Sequence, residues 1–307
     1  MTLFEPAEVV VETHPEAGIA DVAEPQPLRK DVWRRFRRNK LAMLGLAFVV
    51  LILLTAVFAP LIAPYGYAER PRPVEFRAPP SAEHWFGTDN IGRDVFSRVV
   101  YGARISMRIG ILATAISLII GVVVGATSGF FSGWFDTVAM RFTDALLAIP
   151  YIVLAIAIAS VFGRSENSVI LVLGLTGWLF ITRIVRANVL SLKELEYVDA
   201  ARALGFSRAR IIFKHVLPNA MQPIIVYGTI AIGSVILAEA ALSYLTVGVQ
   251  EPTPAWGLMV ADGKRNIANA PHIIFFPGMA IFLTVLAFVF VGDGLRDALD
   301  PKLKGRQ

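Results

Sequence analysis

Glu196-Tyr197-Val198-Asp199-Ala200-Ala201-Arg202-Ala203-Leu204-Gly205-Phe206-Ser207, continued by Arg208 to Lys214 and closed by His215-Val216-Leu217-Pro218-Asn219, is a polar, basic interruption between two long apolar runs. Asp199 to Leu204 is strongly helix-forming. Gly205 stops that helix, as a glycine just past a helix C-terminus does. Ser207 is placed to cap a second short helix, in which Ile211, Ile212 and Val216 pack toward the following apolar run while Arg208, Arg210 and Lys214 stay hydrated. Ala200 and Ala201 give a smooth surface that another protein can approach closely, and Pro218 closes the unit. The stretch predicts a compact helix–turn–helix lying beneath a bilayer.

The flanking sequence supplies the bilayer. Of 307 residues, 55% are hydrophobic and only 17% charged, against about 25% charged in a soluble domain. The mean hydropathy is +0.61. Apolar runs at 41–63, 105–128, 140–162, 169–190, 220–247 and 272–292 are each long enough to cross a hydrocarbon core, which takes about 20 residues at 1.5 Å per residue. The fold class predicted is an all-α polytopic membrane protein with six transmembrane helices; the third run contains Pro150. No cysteine is present, which excludes disulfides and thiolate metal sites. His14, His84, His215 and His272 are too scattered to suggest a metal centre. The net charge of +5 fits membrane-flanking loops rather than nucleic-acid binding.

Charge divides the chain further. Residues 1–27 carry Glu5, Glu8, Glu12, Glu16, Asp21 and Glu24 with no Lys or Arg, and are expected to be a disordered acidic tail. Residues 28–63 form a basic interfacial segment and the first span. Arg29, Lys30, Arg34, Arg35, Arg37, Arg38 and Lys40, with Trp33 and Phe36 one helical turn apart, suit a helix resting on membrane lipid. The positive-inside rule then puts the N-terminus in the cytoplasm, and six spans return the C-terminus there. Residues 64–104 become an extracytoplasmic loop, whose Arg70, Arg72, Arg77, Arg93, Arg98 and Arg104 fit that rule less well, although long loops translocate with less regard to charge. Residues 105–296 form a five-helix core interrupted at 196–218, and 297–307 form a basic cytoplasmic tail. Within the core, Gly121, Gly125, Gly129 and Gly133 recur every four residues, a packing signal for a neighbouring helix.

Several chemistries are missing. There is no phosphate-binding G-x-x-x-x-G-K-[S/T], so the chain is not expected to hydrolyse nucleotide alone, and neither H-E-x-x-H nor G-x-S-x-G occurs. No catalytic or metal-binding residue is expected, and the chain is read as a non-enzyme. Ionisable residues inside the spans are few: Arg141 and Asp144, Asp293, and Glu239 midway through the fifth span. Glu239 is the candidate intramembrane polar site, either a carboxyl bonded to a neighbouring helix or facing a wet cavity, or a coupling or gating group. An ion-coupled secondary carrier, the rival class, would show buried relays and inverted repeats.

The 196–219 stretch resembles the EAA loop of ABC-importer permeases, E-A-A-x3-G-x9-I-x-L-P. Asp199-Ala200-Ala201, Gly205, Leu217 and Pro218 match in spacing, while Asp199 stands for Glu and His215 for Ile. His84 to Arg98, with Gly87-Thr88-Asp89, Gly92-Arg93-Asp94 and Ser97-Arg98, looks like the signature G-T-D-x-x-G-R-D-x-x-S-R, and Tyr101-Gly102-Ala103-Arg104 continues it. Ile236 to Leu245 and Gly248 to Gly257 are similar to the fifth-span ending of the same group. The chain thereby resembles, from about Arg34 to Lys302, the C-type permease subunit of dipeptide, oligopeptide and nickel ABC importers.

The resemblance implies a type I importer permease fold in a bacterial cytoplasmic (inner) membrane. It also implies a heterodimer with a B-type permease, two ABC ATPase subunits that bind ATP and Mg, and an extracytoplasmic substrate-binding protein. This chain holds no cofactor of its own. Glu196, Asp199, Ala200, Ala201, Gly205, Leu217 and Pro218 are the residues expected to couple it to an ATPase. Asp89, Arg93, Asp94, Arg98, Pro252 and Trp256 are a candidate gate or docking surface for the binding protein; the alternative for Asp89 to Arg98 is a brace of the outer loop by Asp–Arg pairing, and for the segment with Pro252 and Trp256 a plain loop at the membrane interface. The substrate expected is a peptide, with nickel or another small solute as the alternative on the same architecture.

Overall fold

A computed structural model describes residues 28–300. The acidic tail at 1–27 and the last residues of the basic tail, 301–307, lie outside it. Among the described residues there is no strand, only an isolated bridge between Thr88 and Asp94. The helices are α1 (Leu28–Arg38), α2 (Lys40–Val57), α3 (Ala59–Ile62), α4 (Val95–Phe131), α5 (Gly133–Leu147), α6 (Tyr151–Phe162), α7 (Glu166–Leu192), α8 (Glu196–Ala203), α9 (Arg208–Ile211), α10 (Leu217–Tyr244), α11 (Trp256–Gly263) and α12 (His272–Leu299).

Five helical segments are long and apolar enough to cross a membrane, and the bent pair α5–α6 makes a sixth when its two halves are counted as one span. The two halves of that pair meet at 95°, so the third span is broken rather than continuous over 140–162. Pro150, the cap residue of α6, causes the break: it has no N–H to give and keeps Ile149 out of helical backbone. The first span is likewise interrupted at Phe58, ahead of Pro60. The second helix starts at Val95, ten residues before the predicted span at 105, so the outer loop ends at residue 94. Asp94 sets that boundary by accepting a hydrogen bond from the Ser97 amide at 2.7 Å.

The helices pack through small residues. A Cβ on Gly121 would lie 2.6 Å from Ile181, and one on Gly125 would lie 2.6 Å from the Thr182 carbonyl, so α4 and α7 pack with backbones almost touching. Gly129 belongs to the same seam, against Arg186 and Val189. Gly133 does not; it sits past the end of α4 with φ +69°, and a Cβ there would meet nothing within 4 Å. Helix α12 joins α2 and α10: Gly45 faces the Ala287 carbonyl and Gly292 faces Ile230. Two ion pairs tie α5 to α7, Asp136 with Arg186 at 2.5 and 2.6 Å and Asp144 with Arg183. The chain order puts α8–α9 on the same face as α1. The loop before α4 and the 245–271 segment share the opposite face.

Candidate functional site

The α8–α9 unit forms as its local sequence dictates. Gly205 adopts φ +75°, and its amide donates to the Arg202 carbonyl at 2.9 Å while the Phe206 amide donates to Ala201 at 3.2 Å. These are the two bonds of a Schellman cap, whose left-handed residue is the place for glycine. Ser207 caps α9 by accepting from the Arg210 amide. Val198, Ile211, Ile212 and Val216 are buried with Val185 and Val189 of α7, which fastens the unit to the membrane core.

Three details depart from the expected surface. Ala201 is packed into this cluster at 4% exposure, so of the two alanines only Ala200 faces outward. Pro218 does not close the unit. A π-turn at Ile212–Val216, in which the Leu217 amide reaches back to the Ile212 carbonyl, carries the helix past it into α10. The proline lacks an N–H, and the wider turn absorbs the missing bond. Helix α9 is therefore continuous with the fifth span, one helix running over Arg208–Tyr244. The third detail is apolar: Leu204 is 73% and Phe213 64% exposed on this face, beside exposed Glu196 and Asp199. Sequence reasoning missed both, because an apolar residue next to a cap or inside a short helix looks like core until its neighbours are known.

Arginine–aromatic contacts hold the unit to the corner between α4 and α5. Arg202 lies 5.9 Å from the Phe130 ring and Arg208 5.8 Å from Phe131. Lys193 reaches Ser132 at 2.6 Å.

On the opposite face, five of the six candidate gate residues are buried, and only Pro252 is exposed. Asp89 accepts from the Ile91 and Arg93 amides and from the Arg93 side chain at 2.6 Å. Arg93 and Arg98 both grip Glu251, Arg98 at 3.0 Å, and Arg98 also donates to the Tyr67 carbonyl. Asp94 pairs with His84 at 2.9 Å. Trp256, a candidate for an exposed gate or docking surface, is instead fully buried, its indole N–H donating to the Val99 carbonyl at 2.9 Å. The arrangement is a brace, and it runs between the outer loop and the segment before α11 rather than within the loop alone. Glu251 is the residue that closes it. The sequence offered no signal for Glu251, since its partners lie 153 and 158 positions away.

A third carboxyl joins the brace. Two arginines balance Asp89 and Glu251, so Asp262, hydrogen-bonded to Glu251, holds the proton of the pair. Burial and the Glu251 carboxylate push Asp262 up to about 7, while Arg93 and Arg98 hold Glu251 below its ordinary value. The unfolded chain loses the Asp262 proton first. This group's contribution to stability is therefore present below about pH 3.8 and is lost as pH rises through about 7. Asp262→Asn is expected to remove that decline, leaving a variant with a flatter thermal-midpoint profile between pH 5 and 8 and at least wild-type stability at pH 8. Equal slopes in the two proteins would refute the shared proton.

Glu239 is fully buried, and it bonds within its own helix: Oε1 accepts from Ser243 at 2.7 Å, and Oε2 has no hydrogen-bond partner among the described residues. Nearby, a cavity of about 510 Å³ opens between α4, α6, α7 and α10. Thr114, Ser117, Tyr151, Tyr227 and Ser234 supply its polar lining, and no charged side chain lines it. The Thr114 hydroxyl is buried without a partner.

Residues 95–305 match the family described as binding-protein-dependent transport system inner membrane component, and residues 27–80 match the N-terminal transmembrane domain of oligopeptide transport permease C. The chain is 44% identical, over 90% of both chains, to the dipeptide transport system permease protein DppC of Alkalihalophilus pseudofirmus. It is 47% identical to the glutathione transport system permease protein GsiD of Shigella flexneri, covering 90% of this chain and 91% of that one. Among solved structures, the inward-facing MetNI methionine ABC transporter superposes with a TM-score of 0.56 at 19% identity, covering 66% of this chain and 97% of that one. That likeness is one of fold.

Proposed function

This chain belongs to the family of binding-protein-dependent transport system inner membrane components, and from that premise we propose that it is the permease subunit through which an ABC importer passes short peptides into a bacterial cytoplasm. As a member of that family it is a transport permease and not an enzyme. The face bearing α1 and α8–α9 is cytoplasmic in this reading, and the braced face is extracytoplasmic. A B-type permease covers the open side of the cavity. Two ATPases, which bind ATP and Mg, sit against the cytoplasmic face, one of them receiving α8–α9 in a groove, and a binding protein delivers substrate to the opposite face.

The observation that carries the coupling role is the α8–α9 surface: a helix pair packed rigidly into the core, continuous with α10, and presenting bare Leu204 and Phe213 to solvent. A peptide substrate is supported by the two relatives, named for a dipeptide and for glutathione, itself a tripeptide. The charge-free cavity agrees, because walls of hydroxyl and apolar groups let peptides of differing charge pass without trapping them.

Co-purification tests the assembly, and ATP-dependent uptake of labelled peptides by the reconstituted assembly tests the substrate. Leu204→Asp and Phe213→Asp place charge on the exposed face without touching the core. Each is expected to reduce recovery of the ATPase subunits at least tenfold while leaving the thermal midpoint of the permease unchanged. Full recovery with both variants would place the ATPase contact elsewhere.

A further inference from the structure

Helix α1 has two unlike faces, and packing sets which of them points outward. Phe36 is buried at 3% exposure against Gly294 and Ala42, and a Cβ on Gly294 would lie 3.1 Å from its ring. Val32 packs into the same cluster, and Arg35 donates to the Asp300 carbonyl. With that side held, Lys30, Trp33, Arg34, Arg37 and Arg38 form one exposed stripe and line a shallow depression. Their spacing of three and four residues is that of a single helical face. Arg34 pairs with Asp31. Lys30, Arg37 and Arg38 make no ion pair or side-chain hydrogen bond among the described residues.

The surface next to this stripe is apolar. Asn39 caps α2, and Leu41 and Leu44 follow at 55% and 63% exposure on a helix long enough to span the bilayer. Cationic side chains thus stand where a headgroup would lie, directly beside the apolar wall along which acyl chains would run. Trp33, half-exposed and stacked on Phe36 with ring centroids 5.9 Å apart, lies within the cationic stripe and suits the membrane–water interface.

We propose that the Lys30–Arg34–Arg37–Arg38 face of α1, with Trp33, is a binding site for the phosphate headgroup of an anionic phospholipid in the leaflet where α2 begins. Guanidinium forks suit phosphate oxygens, and each cation near an anionic surface adds to the attraction. The site is independent of substrate and of the ATPase partner. Its function is to anchor the entry of the first span, and through Phe36 the end of α12, at a set depth.

Native mass spectrometry of the full chain tests it, using phosphatidylglycerol and phosphatidylcholine with identical acyl chains. Wild type is expected to retain the anionic lipid at least tenfold better than the zwitterionic one. The combined variant Lys30→Gln, Arg37→Gln, Arg38→Gln is expected to lose that preference, whereas Arg37→Lys with Arg38→Lys keeps most of it. A salt titration of wild type is a second measurement that needs no variant: the preference should collapse as ionic strength rises from about 0.05 to 0.5 M. Equal retention of the two lipids by wild type, an unchanged preference in the triple variant, or insensitivity to salt would overturn the proposal. So would a preference that emerges only after residues 1–27 are deleted, which would assign this face to the acidic tail instead.

Discussion

Replacing Gly205 with valine is expected to cut ATP-driven uptake by the reconstituted importer tenfold or more while the permease still folds. The glycine holds φ +75°, a conformation that costs a residue with a Cβ about 1–2 kcal/mol and a β-branched one more. A side chain there meets nothing within 4 Å, so the cost arises in the backbone rather than from a clash. The chain relieves it by rotating out of the left-handed region. That breaks the paired bonds Gly205 to Arg202 and Phe206 to Ala201, which set the angle between α8 and α9. Leu204 would then shift relative to α9, and the proposed ATPase partner would meet a misaligned surface. Asparagine tolerates the same backbone, so Gly205→Asn should keep at least a third of wild-type uptake. Valine and asparagine variants of equal activity would show that this turn does not set the coupling geometry. Hydrogen exchange at Phe206 reports the broken cap separately from transport.

Arg98→Met is expected to give the largest loss of stability of any single change in the brace. The guanidinium is 1% exposed and holds Glu251, with Asp89 3.7 Å away, so removing it leaves Arg93 as the one arginine shared by Asp89 and Glu251, and the Tyr67 carbonyl without its donor. Breaking a buried pair by deleting one partner costs roughly 3–5 kcal/mol. Glu251 is 40% exposed, and water recovers part of that. We expect about 3 kcal/mol, or a fall in thermal midpoint of roughly 6–10 °C. The double variant Arg98→Met with Glu251→Gln should be more stable than Arg98→Met alone, because it removes the carboxylate charge that Arg93 cannot balance together with Asp89. A double-mutant cycle with no coupling between the two positions would mean that the Arg98–Glu251 pair contributes nothing to stability.

Much of this molecule could be read from short windows of sequence. The apolar runs announced the spans, Gly205 announced the end of α8, and Ser207 announced the start of α9, because each rests on contacts within about five residues. The candidate site was legible to the same extent. Asp199 and Ala200 face outward as the helical pattern implied, yet their neighbour Ala201 is buried, and Leu204 and Phe213 dominate the exposed surface. Periodicity in an eight-residue helix cannot say which side meets the core when alanine covers both.

The brace shows the same limit more sharply. Asp89, Arg93 and Arg98 were visible as a charged cluster in one loop, but Glu251 and Asp262 come from the far side of four spans. The Asp136–Arg186 pair is also joined across helices, which is why an inspection of single spans noticed Asp144 and passed over Arg183 and Arg186. By itself the sequence determined the all-helical membrane architecture and the caps at Gly205 and Ser207, because lipid solubility and cap hydrogen bonds are settled by residues close together in the chain. The tertiary structure alone decided which charges neutralise one another, that Trp256 lies inside, and that Pro218 is crossed by a π-turn. Those outcomes depend on which helices approach closely enough to exclude water, and that is set by small residues meeting across the fold.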